Sequence, residues 1–141
     1  MKSLNIRNAF TQDTALLLLR LIVGTVFVFH GAQKTLGILG GHGISGFAGF
    51  LGSLGIPFPT VSAWLAGGAE LLGGLALIAG VGVGLASIPL TFTMLVASFV
   101  VHGKAFSAAN NGMEYPLTLA VVTAAIGLLG AGRFSLAVWR K

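Results

Sequence analysis

A chain of 141 residues that is 55% hydrophobic and 8% charged falls far below the roughly 25% charged content of soluble domains, which excludes a water-soluble globular fold. Its length suits four membrane spans of about 20 residues with short loops, so residues 1–141 are expected to form a single membrane domain. The net charge of +5 is scattered rather than set in a basic stripe with interleaved aromatics, which excludes nucleic acid as a partner. The absence of cysteine excludes disulfides, thiolate nucleophiles and cysteine metal sites.

The first apolar run, 14–33, follows a polar start containing Lys2, Arg7 and Asp13. A secretory signal is shorter, uninterrupted and followed by small residues. Here Arg20 breaks the run and His30, Gln33 and Lys34 end it, so an uncleaved span is expected. Residues 35–59 are glycine-rich, and Ile44, Phe47, Leu51 and Leu54 recur at helical spacing after Ser45, a candidate cap. This predicts a short interfacial or re-entrant helix, with a flexible glycine loop as the alternative. Gly55 can end such a helix in a left-handed conformation, and Pro57 and Pro59 prevent its continuation.

Spans over 60–80 and 84–102 leave only 81–83 between them, which makes them antiparallel neighbours. Pro89 is expected to kink the third span, because it lacks an N–H and crowds the carbonyl of Leu85. A fourth span over 115–131 carries Pro116 in its first turn, where proline is tolerated. The expected fold class is therefore all-α, a polytopic four-helix transmembrane bundle in contact with membrane lipid. Lys2, Arg7, Arg133, Arg140 and Lys141 collect at one side against Lys34 and Lys104 at the other, which places both termini in the cytoplasm.

Polar residues mark one face of each span. Arg20, Gly24, Phe27, Gly31 and Lys34 are spaced for one face of a helix, as are Ala63, Gly67, Glu70, Gly74 and Leu77. Gly24, Gly31, Gly67 and Gly74 permit close backbone approach, and their place inside spans argues against a phosphate loop. Intramembrane charges normally pair or line a cavity, and Arg20 is the obvious partner for Glu70. Their backbones are expected to differ by about 6 Å in depth at roughly 1.5 Å per residue. Both side chains lean toward their own helix N-termini, however, and so away from each other. The alternative is that Arg20 snorkels to the inner surface while Glu70 is protonated and hydrogen-bonded.

Thr91, Leu95, Ser98 and His102 form a stripe on the third span, and Glu114 and Thr118 stand one turn apart on the fourth. His30, Lys34, His102, Asn110 and Glu114 fall near the outer boundary, where they are expected to ring the mouth of a pocket. His30, His42, His102 and Glu114 lack the spacing of a metal site, so no metal is assigned.

The segments "LLRLIVGTVFVFHGAQKTLG", "GFLGSLGIPFP", "AELLGGLALIAG" and "NNGMEYPLTL...LLGAGRFSL", in this order and spacing, give the chain its resemblance to the DoxX family of small bacterial and archaeal membrane proteins. The resemblance implies a four-helix membrane fold and carries over Arg20, Gly31, Lys34, Glu70, Gly74, Asn111 and Glu114. It departs near the C-terminus, where Ala131 and Ala137 stand in place of a proline and an aspartate common in the family. Some relatives are subunits of thiosulfate:quinone oxidoreductase, and others are linked to membrane oxidoreductase complexes.

The resulting expectation is a small redox-associated subunit of the bacterial or archaeal cytoplasmic (inner) membrane. It would hold a quinone or similar apolar ligand among its helices and receive electrons from a redox partner protein or a soluble substrate. Arg20, His30, Lys34, Glu70, Ser98, His102, Asn111 and Glu114 are the candidate ligand or cavity residues, with Lys34, His102 or Glu114 placed to hydrogen-bond quinone oxygens. Two other readings stand beside it. One is a non-catalytic assembly or anchoring subunit; the other is a proton-coupled transporter using Glu70, for which a homodimer is expected.

Overall fold

The computed structural model describes residues 2–138, with side chains from residue 8 onward. The side chains of Lys2 and Arg7, and Arg140 and Lys141 altogether, lie outside the described residues, so the expected charge asymmetry rests there on sequence. The described chain is all-helical, with five α-helices: α1 (Lys2–Thr35), α2 (Gly43–Ser53), α3 (Pro59–Ala79), α4 (Val83–Val96) and α5 (Glu114–Leu129). Short π and 3-10 turns, Ala97–Val101 and Ala108–Asn110, follow α4.

Helix α1 begins well before the expected residue 14. No glycine or proline interrupts residues 2–13, so nothing stops the helix from propagating through them. Its 34 residues extend about 50 Å at about 1.5 Å per residue. Three helical stretches are long and apolar enough to cross a membrane: Asn8–Thr35, Pro59–Ala79 and Val83–Val101. The protein is accordingly a multi-pass membrane protein. Helix α5, at 16 residues, is apolar but shorter than the other three.

Helix α2 forms where the spacing of Ile44, Phe47 and Leu51 predicts one, yet it starts at Gly43, and Ser45 does not cap it. At its far end Gly55 takes φ +75°. The N–H of Ile56 donates to the Leu51 carbonyl and that of Gly55 to Gly52, the Schellman arrangement that left-handed glycine allows. Ala48 and Leu51 bury against Ala63 of α3, with Ile44, Phe47 and Ile56 around them. This contact holds α2 across the start of α3.

Helix α1 packs chiefly on α3, and α4 on α5. Side chains from all four long helices close the core: Val23 and Phe27, Leu77, Leu90 and Met94, then Leu119 and Ile126. Large apolar side chains such as Leu65, Leu72, Leu85, Phe92 and Leu128 point outward. That inversion suits lipid as the surrounding solvent.

The α1–α3 seam depends on small residues. A Cβ added at Gly24 would lie 2.8 Å from the Gly74 carbonyl oxygen, and one at Gly74 would lie 2.8 Å from the Val28 nitrogen. At Gly31 it would lie 2.4 Å from the Leu71 nitrogen, and at Gly67 2.8 Å from the Thr35 methyl. These contacts run in antiparallel register, Gly24 beside Ile78 at one end and Thr35 beside Gly67 at the other.

Candidate functional site

Two polar nodes lie along the α1–α3 seam, and they are not joined. Near the C-terminus of α1 the Lys34 ammonium donates to both Glu70 carboxylate oxygens, at 2.6 and 2.7 Å. The Lys34 side chain is 28% exposed and the Glu70 side chain 0%, so an entering molecule can reach the lysine but not the carboxylate. The Phe47 ring of α2 covers the ammonium, 5.2 Å from Nζ to the ring centroid, within the range of a cation–π contact.

Arg20 occupies the other node, where the structure corrects the expected pairing with Glu70. Its guanidinium is spent on backbone carbonyls. Nε donates to Leu77 at 2.8 Å, Nη2 to Ile78 at 3.3 Å, and Nη1 to Phe134 at 3.1 Å and to Ala131. Leu77 and Ile78 lie in the last turn of α3, where carbonyls lack partners within the helix; the buried fork serves Ile78 and shares Leu77 with the capping Gly80 N–H. The fork also ties down residues 131–134, and Asp13 holds the same stretch by accepting from the Arg133 backbone N–H at 3.0 Å and from its Nε at 2.6 Å.

The remaining candidates do not assemble into one ring. His30 stands edge-on to Phe29. His102 pairs through Nδ1 with the Asn111 carbonyl at 2.9 Å, a carbonyl that can only accept, so Nδ1 carries the proton in this contact. Asn111 takes a left-handed φ of 55°. Glu114 accepts from the Ala108 N–H at 2.7 Å, which folds the 102–114 loop back on itself. Ser98 is buried and donates to the Met94 carbonyl of its own helix. Among the described residues no three His, Asp or Glu side chains gather as metal ligands.

A pocket of about 340 Å³ opens beside Lys34, walled by Gln33, His42, Phe47 and Phe50 with Gly40, Gly41, Gly43 and Gly46. The glycines set its shape: a Cβ at Gly41 would lie 2.2 Å from the Gln33 carbonyl oxygen, so only glycine lets the loop lie on α1. A larger cavity of about 970 Å³ lies between α3 and α4. Its walls are almost wholly apolar, and the hydroxyls of Ser62 and Thr93 there are already bonded to the carbonyls of Pro57 and Pro89. The smaller pocket is the one that holds chemistry.

Sequence reasoning placed Phe47 on α2 but missed Phe47, Phe50, His42 and Gln33 as walls around Lys34. The signal lay in the helical spacing that carries Phe47 and Phe50 on a helix long enough to cover the end of α1.

A family model described as DoxX matches residues 15–103. No curated protein and no solved structure matches the chain. The matched stretch takes in Arg20, Lys34, Glu70, the α2 segment and all of α3 and α4, and it ends before Asn111 and Glu114. With well over half of its length matched, across both polar nodes and the pocket, the chain belongs to the DoxX family.

Proposed function

We propose that this protein is a four-span subunit of the bacterial or archaeal cytoplasmic membrane that binds the head of a quinone-like ligand beside Lys34 and serves a membrane redox complex. A fourth span is supported by the apolar length of α5 and by its share in the core. With both termini cytoplasmic, as the basic residues at the chain ends favour, the Lys34 pocket opens to the outer side.

One observation carries the ligand reading: a part-exposed ammonium, held by a buried carboxylate and roofed by an aromatic ring, faces a pocket with two phenylalanine walls. Two of its three N–H bonds serve Glu70, which leaves the third for a carbonyl oxygen. Phe47 and Phe50 offer faces for a flat ring, and about 340 Å³ lies within the roughly 300–1,000 Å³ range of small-molecule pockets. Glu70 fixes the ammonium in place. Electrons come from a partner protein or a soluble substrate, since the chain itself has no thiol to supply them.

The test is purification in mild detergent, extraction of bound lipid-soluble compounds, and thermal unfolding with and without a short-chain quinone. Quinone in the extract, or a rise in Tm that Lys34→Met and Phe47→Ala abolish, supports the reading. No quinone in the extract together with an unchanged Tm overturns it.

A second reading is favoured by Arg20, whose four hydrogen bonds all go to backbone carbonyls. In an assembly subunit such buried polar groups specify packing, and a partner supplies the chemistry. Crosslinking in native membranes distinguishes the two readings, because the assembly role requires a stable partner and no ligand effect.

A further inference from the structure

Two sets stand out among the described helical hydroxyls. Thr14, Thr25, Thr35, Thr93, Ser98 and Thr118 each donate to the carbonyl four residues back, at 2.7 or 2.8 Å, the usual way a helix satisfies its own hydroxyls. Ser87, Thr91 and Thr123 do not. Their oxygens are buried without a protein partner, and Ser87 and Thr123 as residues are 3% and 0% exposed.

These three belong to one seam. A Cβ at Gly127 of α5 would lie 2.7 Å from the Ser87 Cβ and 3.1 Å from its Oγ, and one at Gly84 would lie 3.6 Å from the Gly127 carbonyl oxygen. Gly84 and Ser87 thus mark the face of α4 that meets α5, and Thr91 continues that face one turn on. On the opposite flank Leu90 packs against Gly73 of α3. Because α4 and α5 run antiparallel, the step from Ser87 to Thr91 on one matches the step from Gly127 to Thr123 on the other. The buried hydroxyls without a carbonyl partner are the three that fall on these two adjacent turns of the α4–α5 contact.

We propose that Ser87, Thr91 and Thr123 form a binding site for a buried water molecule that links α4 to α5. Buried polar groups are costly when unpaired, and a buried water typically makes about three hydrogen bonds to such groups. Water can both donate and accept, as each hydroxyl can, so one molecule satisfies all three. A cation is the poorer occupant, since neither helix brings a carboxylate to this level: the acidic residue on α5, Glu114, is engaged at its start. The bridge gives the α4–α5 contact a directional element that Gly84, Gly127 and the apolar core do not supply, and it sets the register of the two helices. It acts independently of the Lys34 pocket, which α1 and α2 form.

Thermal unfolding of the full chain in detergent tests this with Ser87→Ala, Thr91→Val and Thr123→Val, singly and in pairs, and with Thr91→Ser and Thr123→Ser as hydroxyl-retaining controls. Each single loss is expected to lower Tm by about 2–4 °C, each pair by less than the sum, and the serine variants to stay near wild type. A crystal structure that resolves ordered water is expected to place one among the three oxygens, and Thr123→Val to remove it. Additive, neutral or stabilising losses identify a dry seam and overturn the proposal. So does a crystal structure in which the hydroxyls bond directly to one another or to carbonyls.

Discussion

Lys34 and Glu70 meet across α1 and α3 because each side chain leans along its helix toward the other. On antiparallel helices, side chains that tilt toward their own N-termini tilt in opposite directions. Lys34 lies near the end of α1 and Glu70 deeper along α3, so their tilts converge, and the ammonium reaches both carboxylate oxygens. Arg20 lies on the other side of Glu70, where the same tilts diverge. It turns instead to the carbonyls that end α3.

The pair predicts a strong coupling energy. Removing one partner of a buried ion pair costs about 3–5 kcal/mol, whereas replacing both with apolar residues of similar size is often neutral. Lys34→Met is expected to be the more damaging single change, because it strands a carboxylate that is 0% exposed. Glu70→Gln leaves a lysine that is already part-exposed. Lys34→Met with Glu70→Leu is expected to recover most of the loss in a double-mutant cycle read by unfolding in detergent. Additive losses would show that the contact contributes nothing of its own.

Much of this arrangement was legible in the sequence, and the failures have physical causes. The glycine and charge spacing on α1 and α3 identified the two faces that meet, and the stops at Gly55 and Pro57 located the end of α2. The ion pair was missed because depth alone made Arg20 the nearest cation, although the lean of the side chains already opposed it. Asp13 with Arg133, 120 residues apart in sequence, leaves no periodic trace. The pocket escaped because its walls come from glycine backbone and from α2, whose docking depends on a tertiary contact, Leu51 against Ala63.

The glycine seam predicts a sharp contrast between neighbouring positions. Gly31→Ala places a methyl 2.4 Å from the Leu71 backbone nitrogen, whereas a Cβ at Gly68 meets nothing within 4 Å. Backbone cannot rotate aside as a side chain can, so Gly31→Ala must part the helices. Overpacking of this kind costs about 1–3 kcal/mol, which size-exclusion and Tm measurements in detergent would register. Gly68→Ala is expected to match wild type or exceed it slightly, since alanine favours the helix.

Arg20 predicts a failure of conservative replacement. Its guanidinium serves four carbonyls from two segments, and a lysine ammonium has three donors on a single atom. Arg20→Lys is therefore expected to hold the α3 end and release the 131–134 stretch. Limited trypsinolysis reads this directly, because Arg133 lies within that stretch, exposed and paired with Asp13. Faster cleavage after Arg133 in Arg20→Lys than in Asp13→Asn is the expected order, since an exposed ion pair contributes only about 0–1 kcal/mol. Equal rates would deny Arg20 its role as a clasp.

Leu39 predicts a gain from a smaller residue. It takes φ 55° without being glycine, a conformation that costs an ordinary L-residue roughly 1–2 kcal/mol. The Gln33 Nε2 holds it there by donating to the Leu39 carbonyl at 2.9 Å, and this bond also fixes the loop that walls the Lys34 pocket. Leu39 is 56% exposed, so little burial is lost when the side chain is removed. Leu39→Gly relieves the strain but loosens the unfolded chain, which offsets about 0.4–1 kcal/mol of the gain. Leu39→Asn tolerates the left-handed region without that entropic penalty, so it is expected to raise Tm above both wild type and Leu39→Gly. If Gln33→Ala lowers Tm in wild type and less so in the Leu39→Asn background, the glutamine acts by holding a strained carbonyl; an equal drop in both assigns it a role unrelated to the strain.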